Sequence, residues 1–232
     1  MPNVSVSRVV EKIDQRRRMR LLERGCPKEL TQGEYLFFRD DPARRVWSLE
    51  AGVMKFCLSD EMGRPSLLGL ATPGDVIGEL AVSDGGGQPF DAVAATPCAL
   101  ISFDADDLMD AVFASPAASR ELCAQMGGRA RSVLEAVTQR SHGDMTARLA
   151  GRLMELAELL GRMHAGTIEM DVPLAQEDLG RLAGMCRESA CRTMRQLKAE
   201  GVLDYSGRKM RILRPEVLER LRCGGRAVKP SR

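Results

Sequence analysis

Arg187, Glu188, Ser189, Arg192 and Arg195 are the residues of this sequence whose types and spacing suit recognition chemistry. An arginine fork donates two hydrogen bonds to a partner with paired acceptors, such as guanine O6 and N7. A carboxylate accepts from an amine such as cytosine N4. Residues 188 and 192 are four apart, so on a helix they stand one turn above each other on one face. In a merely solvated helical hairpin the same two would close into an exposed ion pair with no further role. Cys186 precedes the run at the place of a helix N-cap, where a thiol accepts the free N–H groups less well than a hydroxyl does. The positive end of the helix, with Arg187 beside it, favours a thiolate there, and an oxidised Cys186 would stand on the recognition surface.

These side chains need a rigid support, and the surrounding pattern supplies one. Gln176 to Leu182 reads as a short helix, Ala183-Gly184-Met185 as a tight turn, and Arg187 to Glu200 as a second helix ended by Gly201. Leu179 and Leu182, then Ala190, Met194 and Leu197, give each helix one apolar face for a shared core. Two helices joined by a glycine-containing turn match a helix-turn-helix, whose second helix enters the major groove N-terminus first. Past Gly201, Val202 to Tyr205 and Lys209 to Leu213 flank Ser206-Gly207 as a two-stranded wing, with Lys209 placed for phosphate. Upstream, Asp144 to Leu160 reads as a helix and Ile168 to Val172 as a short strand.

The front of the chain has a different texture. Ser5 to Glu23 reads as a helix. From Leu30 to Ser102, short apolar runs alternate with turn signals such as Gly33, Asp40-Asp41-Pro42, Gly52, Pro73-Gly74-Asp75 and Gly85-Gly86-Gly87, the texture of a β-sandwich or roll. Helical spacing returns at Asp104, breaks near Ser115-Pro116 and runs on to about Ser141. Leu122, Met126, Ala130, Val133 and Val137 form an apolar stripe there, read as a two-stranded dimer seam, with a helix lying on the roll as the alternative. The fold class is α+β. A helical arm spans 1–23, a β-roll of cyclic-nucleotide-binding-like jelly-roll type 24–117, a long dimerisation helix and hinge 118–143, a winged helix-turn-helix 144–223, and a tail 224–232.

Charge follows the same division. Residues 1–143 carry 17 Lys and Arg against 20 Asp and Glu, and residues 144–232 carry 17 against 12, so only the back half is fitted to a polyanion. The seven cysteines include no C-x-x-C pair, and the two histidines, His142 and His164, are too far apart to share a helical metal face, so no metal site is expected. No apolar run reaches the roughly 18 residues of a membrane helix, and the start of the chain lacks the apolar stretch of a signal peptide, so a cytoplasmic location is expected. No nucleophile–base pair or phosphate loop stands out: Gly85-Gly86-Gly87 has no following lysine, so an enzyme is not expected.

Taken together and in order, these features resemble the cyclic-AMP receptor protein/fumarate-nitrate regulator (Crp/Fnr) superfamily across nearly the whole chain. The resemblance rests on Gly33, Gly52-Val53, Gly63 and Gly74-Asp75-Val76-Ile77-Gly78-Glu79-Leu80 in the roll, and on Ala124-Gln125-Met126 in the long helix. It extends to Asp144-Met145-Thr146-Ala147-Arg148 at the hinge and Gly184-x-x-Arg187-Glu188-x-x-x-Arg192 in the helix-turn-helix. It implies a homodimeric bacterial regulator that reads near-palindromic DNA with TGTGA-like half-sites, meets RNA polymerase, and holds an effector in the roll near Gly78, Glu79, Leu80 and Arg129. In cyclic-nucleotide binders an Arg followed by Ser or Thr grips the cyclic phosphate; here Gln88 and Pro89 stand in those places. The Thr-Ser pair that meets adenine is matched by Val133 and Leu134. Cyclic AMP is therefore not the expected effector. Haem, with Cys57, Cys98, Met54 or a histidine as axial ligand, another small effector, or none remain open. Relatives usually carry Ser where Cys186 stands. The competing reading is a sensor module whose C-terminal domain binds a protein partner instead of DNA.

Overall fold

The computed structural model describes residues 7–59, 65–142, 145–174 and 176–223. Its elements, in chain order, are α1 (Arg8–Glu11), α2 (Gln15–Arg24), β1 (Cys26–Leu30), β2 (Tyr35–Phe37), β3 (Arg45–Ala51), β4 (Met54–Ser59), β5 (Pro65–Ala71), β6 (Val76–Ile77), α3 (Glu79–Asp84), β7 (Asp91–Ala94), β8 (Cys98–Asp104), α4 (Ala105–Phe113) and α5 (Pro116–His142). These are followed by α6 (Met145–Leu160), β9 (Arg162–His164), β10 (Thr167–Asp171), α7 (Gln176–Leu182), α8 (Arg187–Ala199), β11 (Leu203–Ser206), β12 (Lys209–Ile212) and α9 (Pro215–Arg222). The chain divides into two compact units, residues 1–132 and 133–232, with the boundary inside α5.

In the first unit, two antiparallel sheets of order β1-β8-β3-β6 and β2-β7-β4-β5 form the roll. Alternating side chains from both sheets fill its interior, among them Leu30, Phe37, Trp47, Leu49, Met54, Phe56, Ile77 and Leu100. A second core lies under the helices, where Val9, Val10 and Leu21 meet Val46, Val76, Phe103, Leu108, Val112 and Ala118. The single helix expected over 5–23 is two helices. Asp14 adopts extended backbone and its carboxylate accepts from Arg17 N–H, which begins α2 afresh.

The stripe on α5 needs a correction. Leu122 is buried in this second core and Met126 packs against it, so the start of the stripe covers the chain's own roll. Ala130 is exposed, while the side chains of Val133 and Val137 lie outside the described residues. An apolar stripe states that a helix face must be covered and leaves open by what.

In the second unit α6 supports α7, α8 and α9, and the sheet runs β11-β12-β10-β9. β9, absent from the sequence reading, pairs with β10 through a turn in which Ala165 and Gly166 both take positive φ. No helix among the described residues is long and apolar enough to cross a membrane.

Candidate nucleic-acid interface and roll pocket

Helices α7 and α8 are joined by the turn at Ala183-Gly184-Met185, where Gly184 has φ +63°, a conformation an L side chain adopts only at a cost. The Arg148 Nε–H donates to Ala183 C=O at 3.1 Å, so α6 holds this turn from behind. Ala190, Thr193, Met194 and Leu197 are the buried face of α8, as their spacing requires. Arg187, Glu188, Arg192 and Arg195 are on its exposed face and Ser189 is half-buried. Glu188 and Arg192 form no ion pair among the described residues, and the Arg187 guanidinium has no partner either, so these donors and acceptors are uncommitted. Arg195 is partly engaged: its Nε–H donates to Cys191 C=O at 3.2 Å.

The wing is tied to the end of α8. Lys198 Nζ lies 2.7 Å from the Asp204 carboxylate and 5.0 Å from the centre of the Tyr205 ring. Lys209 is exposed on β12, and with Arg208 and Arg211 gives the wing a cationic edge, although Arg211 pairs with Glu169 at 3.1 Å. Lys198 carried no signal in the sequence reading, because its partners are created only by the turn of the wing back onto the helix.

Cys186 is the N-cap of α8 and makes no side-chain cap hydrogen bond. Its thiol instead donates to Ser189 Oγ at 3.2 Å. The thiol pKa is held below the ordinary value, first by the Ser189 hydroxyl and then by the backbone N–H of Ser189 and, less, of Glu188, while the Glu188 carboxylate opposes.

The roll pocket departs further from expectation. Gly78 takes φ +94° at the start of α3, and a Cβ there would meet the Trp47 ring and Arg45 C=O at about 3.1 Å. The backbone thereby delivers Glu79 inward, where it is 1% exposed and paired with Arg129 of α5. Burial raises the Glu79 pKa from the usual carboxylate range, and the Arg129 charge works against that rise. Arg129 also donates to Val76 C=O at 2.8 Å and lies 5.1 Å from the Phe56 ring centre. Gln125 bonds both backbone groups of Val76, accepting at 3.2 Å and donating at 2.7 Å. Leu80 packs against the roll core.

Gln88 is 1% exposed, and neither its Oε1 nor its Nε2 has a hydrogen-bond partner among the described residues. Its backbone is pinned by Gln88 N–H to Asp41 C=O and Asp40 N–H to Gln88 C=O. Pro89 is exposed, whereas Gln88 and Phe90 on either side of it are buried. Leu134 is also exposed, and the side chain of Val133 lies outside the described residues. Asp91 turns outward and accepts from Arg39 N–H at 2.8 Å.

The candidate haem ligands among the described residues are packed in the core or exposed and are not gathered at one site. Met54 is core, and the Cys98 thiol points to Thr96 and Val53 carbonyls, with its pKa raised first by burial. Cys57 is buried, His164 is exposed in the other unit, and the His142 side chain lies outside the described residues.

Residues 27–115 match the family model of the cyclic nucleotide-binding domain, and residues 147–221 that of the Crp-like helix-turn-helix domain. The chain is 26% identical over 194 residues to the CRP-like cAMP-activated global transcriptional regulator of Mycobacterium tuberculosis, covering 84% of this chain and 87% of the relative. It is 26% identical over 187 residues to the global nitrogen regulator of a Nostoc species, covering 80% and 84%. The structure of FixK2 from Bradyrhizobium japonicum has the same fold, with a TM-score of 0.75, 23% identity, and coverage of 88% of this chain and 98% of that one.

Proposed function

The chain belongs to the Crp/Fnr superfamily of transcription regulators, and from that premise we propose that it is a homodimer that reads near-palindromic DNA under the control of a roll effector other than cyclic AMP. Arg187, Glu188 and Arg192 read a TGTGA-like half-site in the major groove, with Ser189, Arg195 and Lys209 beside them at the DNA surface. The half-site centres lie about one helical turn, ~34 Å, apart. RNA polymerase is the further partner. The observation that carries the DNA reading is the uncommitted Arg187, Glu188 and Arg192 at the exposed start of α8. A C-terminal domain built to bind a protein has no need of aligned, unpaired cations at a helix N-terminus.

For the dimer, the partner helix packs on the outer face of α5 instead of on Leu122 and Met126. Cys123, Gly127, Ala130 and Leu134 follow one another at spacings of four, three and four, the repeat of a two-stranded seam. A Cβ at Gly127 would come within 4 Å only of the far end of Arg131, so nothing described within the chain itself requires a residue that small.

The effector reading rests on Gln88. An amide offers a cyclic phosphate no charge-assisted bidentate contact, and its buried, unpartnered donor and acceptor suit a ligand that also carries both. Cyclic AMP at millimolar concentration is therefore expected to leave the melting temperature and DNA affinity unchanged. A ligand bound only by the native state at a hundredfold over its Kd would add about 2.7 kcal/mol, which a thermal scan detects easily. A clear shift with cyclic AMP would sink this reading of Gln88.

Oxidation supplies a second test. Mild peroxide is expected to weaken DNA binding by the wild-type chain while sparing Cys186→Ser, since the exposed, acidified thiol stands beside Arg187. Equal losses in both chains, measured by fluorescence anisotropy on one duplex, would place the sensitive thiol elsewhere.

A further inference from the structure

The cleft between α2 and α4, in the acidic front half of the chain and apart from both regions described above, is lined by Arg17, Arg20, Leu21 and Arg24 on one side and Asp107, Asp110 and Ala111 on the other. Its volume is about 240 Å³. Residues 17, 20 and 24 are three and four apart, so one face of α2 turns three guanidiniums toward the cleft while Leu21 and Ala111 form an apolar floor. Five arginines fall within this helix, in a half of the chain where acidic residues outnumber basic ones.

The commitments of these charges differ. Arg24 Nη1 reaches both oxygens of Asp107, at 3.2 and 3.1 Å. Arg17 Nη1 turns back to Asp14 at 2.6 Å, but that carboxylate also accepts the Arg17 backbone N–H as the cap of α2. Among the described residues the Arg20 guanidinium and the Asp110 carboxylate make no ion pair or hydrogen bond. The cleft therefore holds one free guanidinium between two that have further N–H groups to give, above a floor that offers no polar partner.

We propose that this cleft binds a phosphorylated small molecule. The phosphate is held by Arg20 with Arg17 and Arg24, and an apolar or flat moiety lies on Leu21 and Ala111. A phosphate presents several acceptor oxygens in different directions, which matches forks arriving from successive turns of one helix, whereas a single carboxylate satisfies only one fork. Asp110 faces the same space and repels the anion, which limits affinity and favours a ligand whose phosphate sits toward α2.

Calorimetric titration of the full chain without DNA tests this, with inorganic phosphate and phenyl phosphate as the probes. Phenyl phosphate is expected to saturate one site per chain and to bind more tightly than inorganic phosphate. Arg20→Ala, an exposed change that leaves both cores intact, should weaken it tenfold or more, and Asp110→Asn should tighten it. The Arg187→Ala/Arg192→Ala and Gln88→Ala chains should titrate like wild type. Absence of saturable binding, an unchanged isotherm for Arg20→Ala, or loss of binding on changing Arg187 and Arg192 or Gln88 would each overturn the assignment. None of these results bears on whether the chain reads DNA, so the two proposals fail separately.

Discussion

An Arg192→Ala chain is expected to bind its preferred duplex with about 1–3 kcal/mol less free energy, roughly fivefold to 150-fold more weakly, and to lose its preference at one base pair of each half-site. Arg192 stands one turn beyond Glu188 on the exposed face of α8, with no ion pair among the described residues to occupy its guanidinium, and the buried Ala190, Thr193 and Met194 keep that face turned outward. Its removal leaves the helix and its packing intact, so the loss belongs to the base contact. Lys209→Ala makes the contrasting case. A wing lysine that meets only phosphate should weaken specific and random duplex alike and reduce the slope of log K against log salt by about 0.9. Anisotropy titrations of both variants on specific and random duplex, at several salt concentrations, separate the two roles. Equal losses on both duplexes for Arg192→Ala would reassign that residue to the phosphate backbone.

Arg129→Ala is expected to have the largest effect on stability, about 3–5 kcal/mol, because it strands Glu79 in the roll without its counter-ion. It also removes the donor to Val76 C=O and the cation over Phe56. The loss should depend on pH in a definite sense. Burial already raises the Glu79 pKa, so the folded chain keeps this proton to higher pH than the unfolded chain does. The contribution from that proton is fully present below the ordinary carboxylate value and is lost as pH rises through the folded value. Without Arg129, which opposes the shift, the folded value climbs further and the window widens upward. The deficit of Arg129→Ala should therefore be greatest near neutrality and shrink as pH falls toward the ordinary carboxylate value, where protonation removes the unpaired charge. Adding Glu79→Gln should recover a large part of it. Urea unfolding of the single and double variants at the two pH values tests this, and a deficit indifferent to both pH and Glu79→Gln would mean that packing alone had been lost.

The elements that carry recognition were legible because their signals are local. The apolar spacing of Leu179, Leu182, Ala190, Met194 and Leu197 fixes which sides of α7 and α8 must be covered, and that leaves Arg187, Glu188 and Arg192 outside. Gly184 and Gly201 mark the turns because the positive φ found there is one that side chains with a Cβ avoid. Cys186 was legible as a weak cap for the same local reason, and the structure places its thiol on Ser189 instead of on a backbone N–H.

The roll and the long helix set the limit of such reading. Periodicity named Leu122 and Met126 as apolar residues needing cover, yet the cover is the chain's own Val76, Leu108 and Val112, brought close by the return of the roll onto α5. Neighbouring positions Gln88 and Pro89 looked equally placed for the pocket. The pinning of Gln88 to Asp40 and Asp41 decided that one is buried and the other faces solvent. The pairing of Glu79 with Arg129 joins residues 50 apart in sequence, and the charge cleft of α2 and α4 joins Arg24 to Asp107, 83 apart. Residue type and spacing determine which groups need a partner, since hydrophobicity, helical period and charge are properties of short segments. Which partner each group meets is a matter of distance in space, and only the closing of the sheets and the docking of the helices on them set those distances.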